Sequence, residues 1–474
     1  MGKSLMNWKQ TTLAILIVIP AYGFICNLLP NNSFWITDGG NKFIQLQNFE
    51  RNLRINIEYP SADIDPKLEF FPYAGHHFHN IDGKIYSFYP FYFPLISILN
   101  YKLFGYFGLY LIPLLSTLLC MLAMQLIKEI KLDDKYGVGI LALAFSTPMF
   151  FYGQTFWEHV PSVLLSTVSV YLIMRIIFNN SKSTLLLITI GILLGLSAIL
   201  REEGYTLTLA IFISLLFVTR QKKKLLLPLI GWLVIILPFW LFQFMLYGHP
   251  LGFHFVVYSA MKSGEWSFIQ FVSSKISNYF FYIFCFHESA QVNILLIPYI
   301  AATIFGLFVS NSTSNKTRLK LAILISSALT ASILTVLLLY HDNPVINTRN
   351  TQSLIGSTPF LLLAIVNFGI MLRSQDFQIK FLTCCSLIFM IINCLVLNQK
   401  DVGIIWGPRH FLHLYPLLVP LAIYSFRNIQ HSFPTAKGKY AITTVAIILL
   451  IISLVIQATL SIYFILKRKF PVIL

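Results

Sequence analysis

Four short stretches put ionisable side chains beside apolar runs, where they could do chemistry. Asp38 stands in Trp35-Ile36-Thr37-Asp38-Gly39-Gly40-Asn41-Lys42. Glu158 and His159 stand in Trp157-Glu158-His159-Val160-Pro161, and Arg201 and Glu202 in Arg201-Glu202-Glu203-Gly204. Arg409 and His410 close Trp406-Gly407-Pro408-Arg409-His410. A carboxylate can take the proton of an attacking hydroxyl. A guanidinium can clamp a phosphate through two parallel hydrogen bonds, which lysine cannot imitate. Each stretch has a plainer reading as hairpin chemistry, and Asp38 before two glycines reads locally as an Asx turn or a helix cap. Together they concentrate acids, arginines and histidine beside the bilayer, where ionisable groups are costly and tend to be functional.

A second set lies between them. His76, His77 and His79 could ligate a metal, since imidazole suits zinc and other transition metals. Adjacent histidines in a polar loop are more often simply solvated, and no matching ligand spacing accompanies them. A divalent metal ion is therefore a possible cofactor and no cofactor is certain. Asp82-Gly83 reads as a turn, after which Lys84 and Tyr86 could approach a phosphate.

The elements that must position these groups are membrane helices. Of the 474 residues, 57% are hydrophobic and 11% charged, against about 25% charged in soluble domains. A water-facing surface cannot be built from this chain, and 42 Phe with 23 Tyr also exclude a disordered one. The six cysteines form no CxxC pair, so neither a disulfide framework nor a zinc site is indicated. On a ruler of about 20 apolar residues per span, runs fall near 10–30, 105–127, 137–153, 158–178, 184–200, 204–219, 225–247, 291–310, 319–340, 353–372, 380–398, 409–427 and 440–466. The expected fold is thus all-α and polytopic, with about thirteen transmembrane helices and a range of roughly 11–14. The first run reads as an uncleaved anchor, because no small-residue cleavage site follows it. The whole chain, 1–474, is one membrane domain with long loops at 31–104 and 248–290. Within the first loop, Phe43, Leu46, Phe49 and Leu53 have the spacing of an amphipathic helix lying in the headgroup layer.

Charge sets the orientation. With the N-terminus inside, the cytoplasmic segments hold 19 of the 34 Lys and Arg, among them Lys222, Lys223 and Lys224. Fourteen of the 18 acids and ten of the 11 histidines fall on the other side. Acid–base or metal chemistry is therefore expected on the outer face. The net charge of +16 is explained by the positive-inside rule and anionic lipid, with no nucleic acid required.

The pattern resembles the multi-pass GT-C glycosyltransferases that use polyprenyl-phosphate-linked sugars, the class of protein O-mannosyltransferases and bacterial aminoarabinose transferases. Asp38 matches the acid these enzymes carry at the start of their first outer loop. Asp82-Gly83-Lys84-Ile85-Tyr86-Ser87, followed by Pro90 and Pro94, is similar to their DGk-YS approach to span two. Tyr247-Gly248-His249-Pro250-Leu251-Gly252 resembles a recurrent yG-PLG element, and Trp406-Gly407-Pro408-Arg409-His410-Phe411 with Pro416 resembles WGPRYL…P. Two departures stand out: Asp38 is followed by Gly39 where the family often has a second acid, and no large soluble domain follows the last span.

The resemblance implies transfer of a hexosyl or pentosyl unit from a polyprenyl-phosphate-linked sugar to a hydroxyl of a lipid, glycan or protein acceptor, at the outer face of a plasma or inner membrane. Asp38 is then the expected base, with Glu158 as a second catalytic acid. Arg201, Arg409 and Lys84 are expected at the donor phosphate, and Tyr86, His159, Glu202 and His410 around the substrate. The rival readings are a transporter or flippase of a lipid-linked or sugar substrate, a ligase or polymerase of lipid-linked sugars, and a non-catalytic scaffold. A transporter is expected to show internal repeats and Gly/Pro-broken helices with charges at the midplane.

Overall fold

The computed structural model describes residues 8–29, 34, 37–67, 69–70, 77–81, 83–129, 137–178, 183–252, 268–284, 353–397, 407–433 and 435–469. The expected spans at 291–310 and 319–340 lie outside them, as do His76, Asp82 and Trp406. Where the apolar runs are uninterrupted, helices form close to the expected bounds: α1 (Trp8–Leu28), α7 (His159–Ile176), α8 (Thr184–Leu200), α9 (Glu203–Val218) and α10 (Leu226–Tyr247). Of the described residues, six helical segments are long and apolar enough to cross a membrane, while α8 and α9 are apolar but shorter.

Four segments differ from expectation. Residues 92–104, read as the end of the first loop, form α3 (Tyr92–Phe104), which runs through a 3₁₀ turn into α4 (Gly108–Glu129). The run 137–153 is split into α5 (Val138–Phe145) and α6 (Met149–Tyr152) around Ser146-Thr147-Pro148, because Pro148 has no N–H to continue the helix. The run 353–372 is split into α12 (Leu354–Ser357), α13 (Leu362–Ile365) and α14 (Phe368–Leu372). Its freed backbone is satisfied by the last helix: Ser453 Oγ accepts the Phe360 N–H at 3.2 Å, and Gln457 Nε2 donates to the Ser357 carbonyl at 2.8 Å. Part of the loop 248–290 is helical as α11 (Phe268–Phe284), between α10 and these pieces. The chain then continues as α15 (Phe377–Val396), a 3₁₀ turn over Arg409–Leu414, α16 (Tyr415–Ser432) and α17 (Ala436–Lys469).

The described residues are helical apart from turns, loops and one antiparallel hairpin, β1 (Phe78–Ile81) and β2 (Lys84–Ser87), which pairs Phe78 with Ser87 and Ile81 with Lys84. Gly83 supplies the positive φ that its tight turn needs.

Two contacts fix the bundle around the candidate site. On α8, Gly191 and Gly195 form a small-xxx-small stripe, and a Cβ at Gly191 would collide with the Pro228 carbonyl of α10. Gly231 of α10 is held against Ile188 in the same way, so the two backbones touch. Between α7 and α8, Ser162 Oγ donates to the Ser197 carbonyl at 2.8 Å and Ser197 Oγ to the Ser162 carbonyl at 2.9 Å. Ser162 is one turn after Glu158 and Ser197 one turn before Arg201, so this reciprocal clasp sets Glu158 and Arg201 at the same height. At the opposite end of α7, Gln378 Nε2 reaches the Met174 carbonyl at 3.3 Å. Following the chain up and down the bundle, Arg175, Lys222, Lys223, Lys224 and Arg373 fall at that opposite end.

Candidate active site

Four chain segments meet at one end of the bundle: the first turn of α2 (Thr37–Asn52), the corner before α7, the corner between α8 and α9, and Gly407–His410. The expected amphipathic helix is α2, but it begins earlier, at Thr37, so Asp38 lies in its first turn rather than at a cap. A carboxylate there is favoured by the helix dipole. The apolar spacing is used against the protein itself: Leu46 and Phe49 are buried, and Phe43 packs on Tyr101 and Tyr106. Leu53 instead leaves the helix in a left-handed conformation and is exposed. Gly39 faces the Phe34 ring, whose Cδ1 would be 3.0 Å from a Cβ there, so the space beside this glycine is occupied by protein.

Asp38 and Lys42, one turn apart, both face the bundle. Lys42 Nζ is 2.7 Å from Glu158 Oε2, with the two side chains 1% and 3% exposed. Arg201 Nη1 donates to Glu158 Oε1 at 3.1 Å, while its Nε and Nη2 grip Glu203 at 3.0 and 2.8 Å. This fork depends on the tight corner after α8, where the Gly204 N–H donates to the Arg201 carbonyl at 2.9 Å. A Cβ at Gly204 would lie 2.6 Å from the Ala198 nitrogen, so the corner admits no side chain there. Glu203 Oε1 lies 2.5 Å from His410 Nδ1, and Arg409 Nε donates to His410 Nε2 at 3.3 Å. Arg409 Nη1 approaches Asp38 Oδ2 at 3.9 Å. Tyr89 completes the circuit: its hydroxyl donates to Asp38 Oδ1 at 2.7 Å, and Lys42 Nζ stands 5.1 Å over its ring.

The supports of this circuit are as specific as its charges. Gly407 has φ +54°, and a Cβ there would sit 2.5 Å from Pro148 Cγ. The break between α5 and α6 is thereby what seats the Arg409 turn. Asn393 Nδ2 holds the His410 carbonyl at 2.6 Å, and Gln45 Nε2 holds that of Tyr89 at 2.8 Å.

Burial and pairing act on these charged groups in opposite senses. Burial pushes the Glu158 carboxyl up, but Lys42 and Arg201 outweigh it and hold it below its ordinary value. Burial pulls Arg201 down, yet Glu203 and Glu158 raise it above the usual guanidinium value. Lys42 is pulled below the ordinary lysine value by burial, against the opposing pull of Glu158 and Asp38. The Tyr89 hydroxyl is pushed up by burial and then by Asp38, so it remains a donor.

The structure therefore brings Asp38, Glu158, Arg201, Arg409 and His410 together, and adds Lys42, Glu203 and Tyr89, which sequence reasoning did not select. The signal was present in two of them: Lys42 follows Asp38 by four residues on one helix face, and Glu203 follows Arg201 by two across a corner. Nothing local marks Tyr89. Lys84 is exposed on β2 and makes no ion pair among the described residues. Tyr86 is buried with its ring 5.9 Å from that of Tyr247. Glu202 is exposed and lines a small cavity of about 50 Å³ with Tyr89, Tyr92, Tyr205 and Tyr247. His159 is buried against the Tyr152 and Trp157 rings, and neither of its nitrogens has a hydrogen-bond partner among the described residues. Among those same residues no group of three or more His, Cys, Asp or Glu could hold a metal ion. Among the described residues, Asp38 contacts the Arg409 guanidinium and the Tyr89 hydroxyl, a set unsuited to a cation.

No protein-family model matches the chain, and no curated protein matches it. Among solved structures, the crystal structure of ArnT from Cupriavidus metallidurans in the apo state matches over 87% of this chain and 78% of that one, with 13% sequence identity and a TM-score of 0.39.

Proposed function

We propose that this chain is a membrane glycosyltransferase of GT-C type, which moves a sugar from a polyprenyl-phosphate donor to an acceptor hydroxyl at the extracytoplasmic face. The observation that carries the reading is the pairing of Asp38 with Arg409 at one rim of the bundle, at the end opposite the basic residues. A proton acceptor and a phosphate-binding cation then stand at the depth where a membrane-held sugar phosphate would present its reacting bond. In this reading the acceptor oxygen attacks the anomeric carbon and Asp38 takes its proton. The bond from that carbon to the phosphate oxygen breaks, and Arg409 receives the charge left on polyprenyl phosphate. Tyr89 holds Oδ1 of Asp38, which leaves Oδ2 toward the reacting groups. Glu158 and Arg201 become the frame of the site rather than its acid and its donor clamp, because each is already engaged on two sides. No step is routed through a metal.

A transporter gains one supporting observation, the proline-interrupted segments at 146–148 and 358–361. Their broken backbones are packed in the core and satisfied by neighbouring side chains, and the charges cluster at one end rather than at the midplane. The enzyme reading is therefore preferred.

The test is a transfer assay with purified protein and a panel of short-chain polyprenyl phosphohexoses and phosphopentoses. Asp38→Asn keeps the size of the side chain but cannot take the proton. It should lower turnover by about 10²- to 10⁴-fold while donor binding and folding survive. Near-normal turnover by this variant would end the assignment, and failure of the native protein to bind any phosphodiester of the panel would end the proposed function.

A further inference from the structure

His410 has a geometry that sequence reasoning did not assign to it. The 3₁₀ turn over Arg409–Leu414 brings residues three apart into line. His413 faces inward, with Nδ1 at 2.8 Å from Ser166 Oγ and Nε2 at 3.4 Å from Ser162 Oγ. His410, one turn nearer the rim, lies between a carboxylate and a guanidinium. Its Nδ1 is 2.5 Å from Glu203 Oε1, and its Nε2 accepts the Arg409 Nε–H at 3.3 Å. Both nitrogens are thus used in opposite senses. Glu203 is an ionised acceptor gripped twice by Arg201, so Nδ1 must carry a hydrogen. Arg409 is always a donor, so Nε2 must not carry one. Only the neutral Nδ1–H imidazole satisfies both neighbours.

We propose that His410 is a positioning residue: as the neutral Nδ1–H imidazole it ties the Arg409 guanidinium to Glu203 and so fixes the cation that faces Asp38. Protonation would place an N–H opposite the Arg409 Nε–H, turning the acceptor that holds the guanidinium into a donor that repels it. Among the described residues, the other groups around the ring have different tasks. Arg201 is committed to Glu203 and Glu158, the Tyr282 ring stands edge-on at 6.5 Å between centroids, and Asn393 holds the backbone carbonyl of His410 rather than its ring. His159 lies below, among Tyr152 and Trp157, and Asp38 pulls on Arg409 from its other side. The consequence for donor binding rests on the proposed function; the hydrogen-bond arrangement itself does not.

Two variants separate the roles. A glutamine amide offers one donor and one acceptor with nearly the spacing of the two imidazole nitrogens, and it does not titrate. His410→Phe removes both. The binding probe is a short-chain polyprenyl phosphohexose, a diester whose charge is constant over about pH 5–8, the range in which histidine changes charge. The native protein should lose about tenfold or more in affinity on acidification, since a hydrogen bond to a charged group is lost. His410→Gln should restore most of what His410→Phe loses at neutral pH and should flatten the acid limb. Nitrogen-15 spectra of histidine-labelled native protein at pH 8, with His410 identified by difference from His410→Gln, should show a protonated Nδ1 and a bare Nε2. An acid limb that persists in His410→Gln, or a His410 that is an Nε2–H tautomer or an imidazolium at pH 8, overturns the proposal. If the native protein binds no diester at any pH, the proposed function fails by itself. The spectra and the acid dependence of thermal stability then decide for His410: an Nδ1–H signal with acid destabilisation abolished in His410→Gln upholds the clamp, and any other combination rejects it.

Discussion

Removing the carboxylate of Glu158 should be far more damaging than removing the lysine that pairs with it. Lys42 Nζ lies 2.7 Å from Glu158 Oε2 with both side chains almost wholly buried, so water cannot replace the lost partner. Glu158→Gln strands Lys42 and takes one of two carboxylates from Arg201, and breaking a buried pair in this way costs about 3–5 kcal/mol. That is roughly a hundred- to four-thousandfold in the unfolding constant, at 1.4 kcal/mol per factor of ten. Lys42→Met leaves Glu158 bound to Arg201 at 3.1 Å and removes a buried charge, so its cost should be near that of one charged hydrogen bond, about 1.5–3 kcal/mol. The double variant should be more stable than the sum of the two losses, by about 0.5–3 kcal/mol of coupling. The assay is equilibrium unfolding of purified protein in mixed micelles followed by tryptophan fluorescence. Losses that add to within about 0.5 kcal/mol would refute the idea that these two charges hold α2 to the α7 corner.

The same assay against pH carries a second expectation. Glu158 has its folded value held below the ordinary 4.5, so its stabilisation is complete above about pH 4.5 and is lost as pH falls through the folded value; this acid loss should be missing from Glu158→Gln. Arg409→Lys should weaken binding of a polyprenyl phosphohexose with little loss of stability, whereas Arg201→Lys should lower stability first, because lysine cannot grip both oxygens of Glu203. The opposite ranking, read from binding and unfolding together, would exchange their roles. Gly191→Leu should force α8 from α10 and cost about 1–3 kcal/mol or abolish folding, and unchanged stability would mean that the contact between these helices is dispensable.

Much of this fold was legible because membrane helices announce themselves by length and apolarity. The bounds of α8, Thr184–Leu200, coincide with the sequence reading, and those of α9 and α10 lie within one residue of it. The misreadings are of two kinds: apolarity does not report where the backbone stops being helical within a run, nor that segments of the long loops, 92–104 and 268–284, are helical. Pro148 and Pro359 stand in the sequence, but the partners that make such breaks tolerable, Tyr22 at the Ala144 carbonyl for the first and Ser453 and Gln457 for the second, come from more than ninety residues away. At the site, the hairpin tips revealed which groups lie at the rim. They could not reveal which acid pairs with which base. Glu158 reads as a second catalytic acid because no nearby residue marks Lys42 as its partner, and Arg201 reads as a donor clamp because the corner that folds Glu203 back onto it is not marked as such in the sequence. Tyr89 gave no signal, since its role depends on the return of β2 beside α2.

The circuit at the rim also has a long-range consequence. Among the described residues of the circuit, Asp38, Glu158 and Glu203 alternate with Lys42, Arg201 and Arg409, so these six charges cancel. A cancelling arrangement produces a field that fades within a few ångströms, unlike the steering potential of a charged cleft. Such a site exerts little long-range pull on anions in solution. Under the proposed function, the donor phosphate would reach it by diffusion in the plane of the membrane, and the rate of that encounter should barely change with ionic strength.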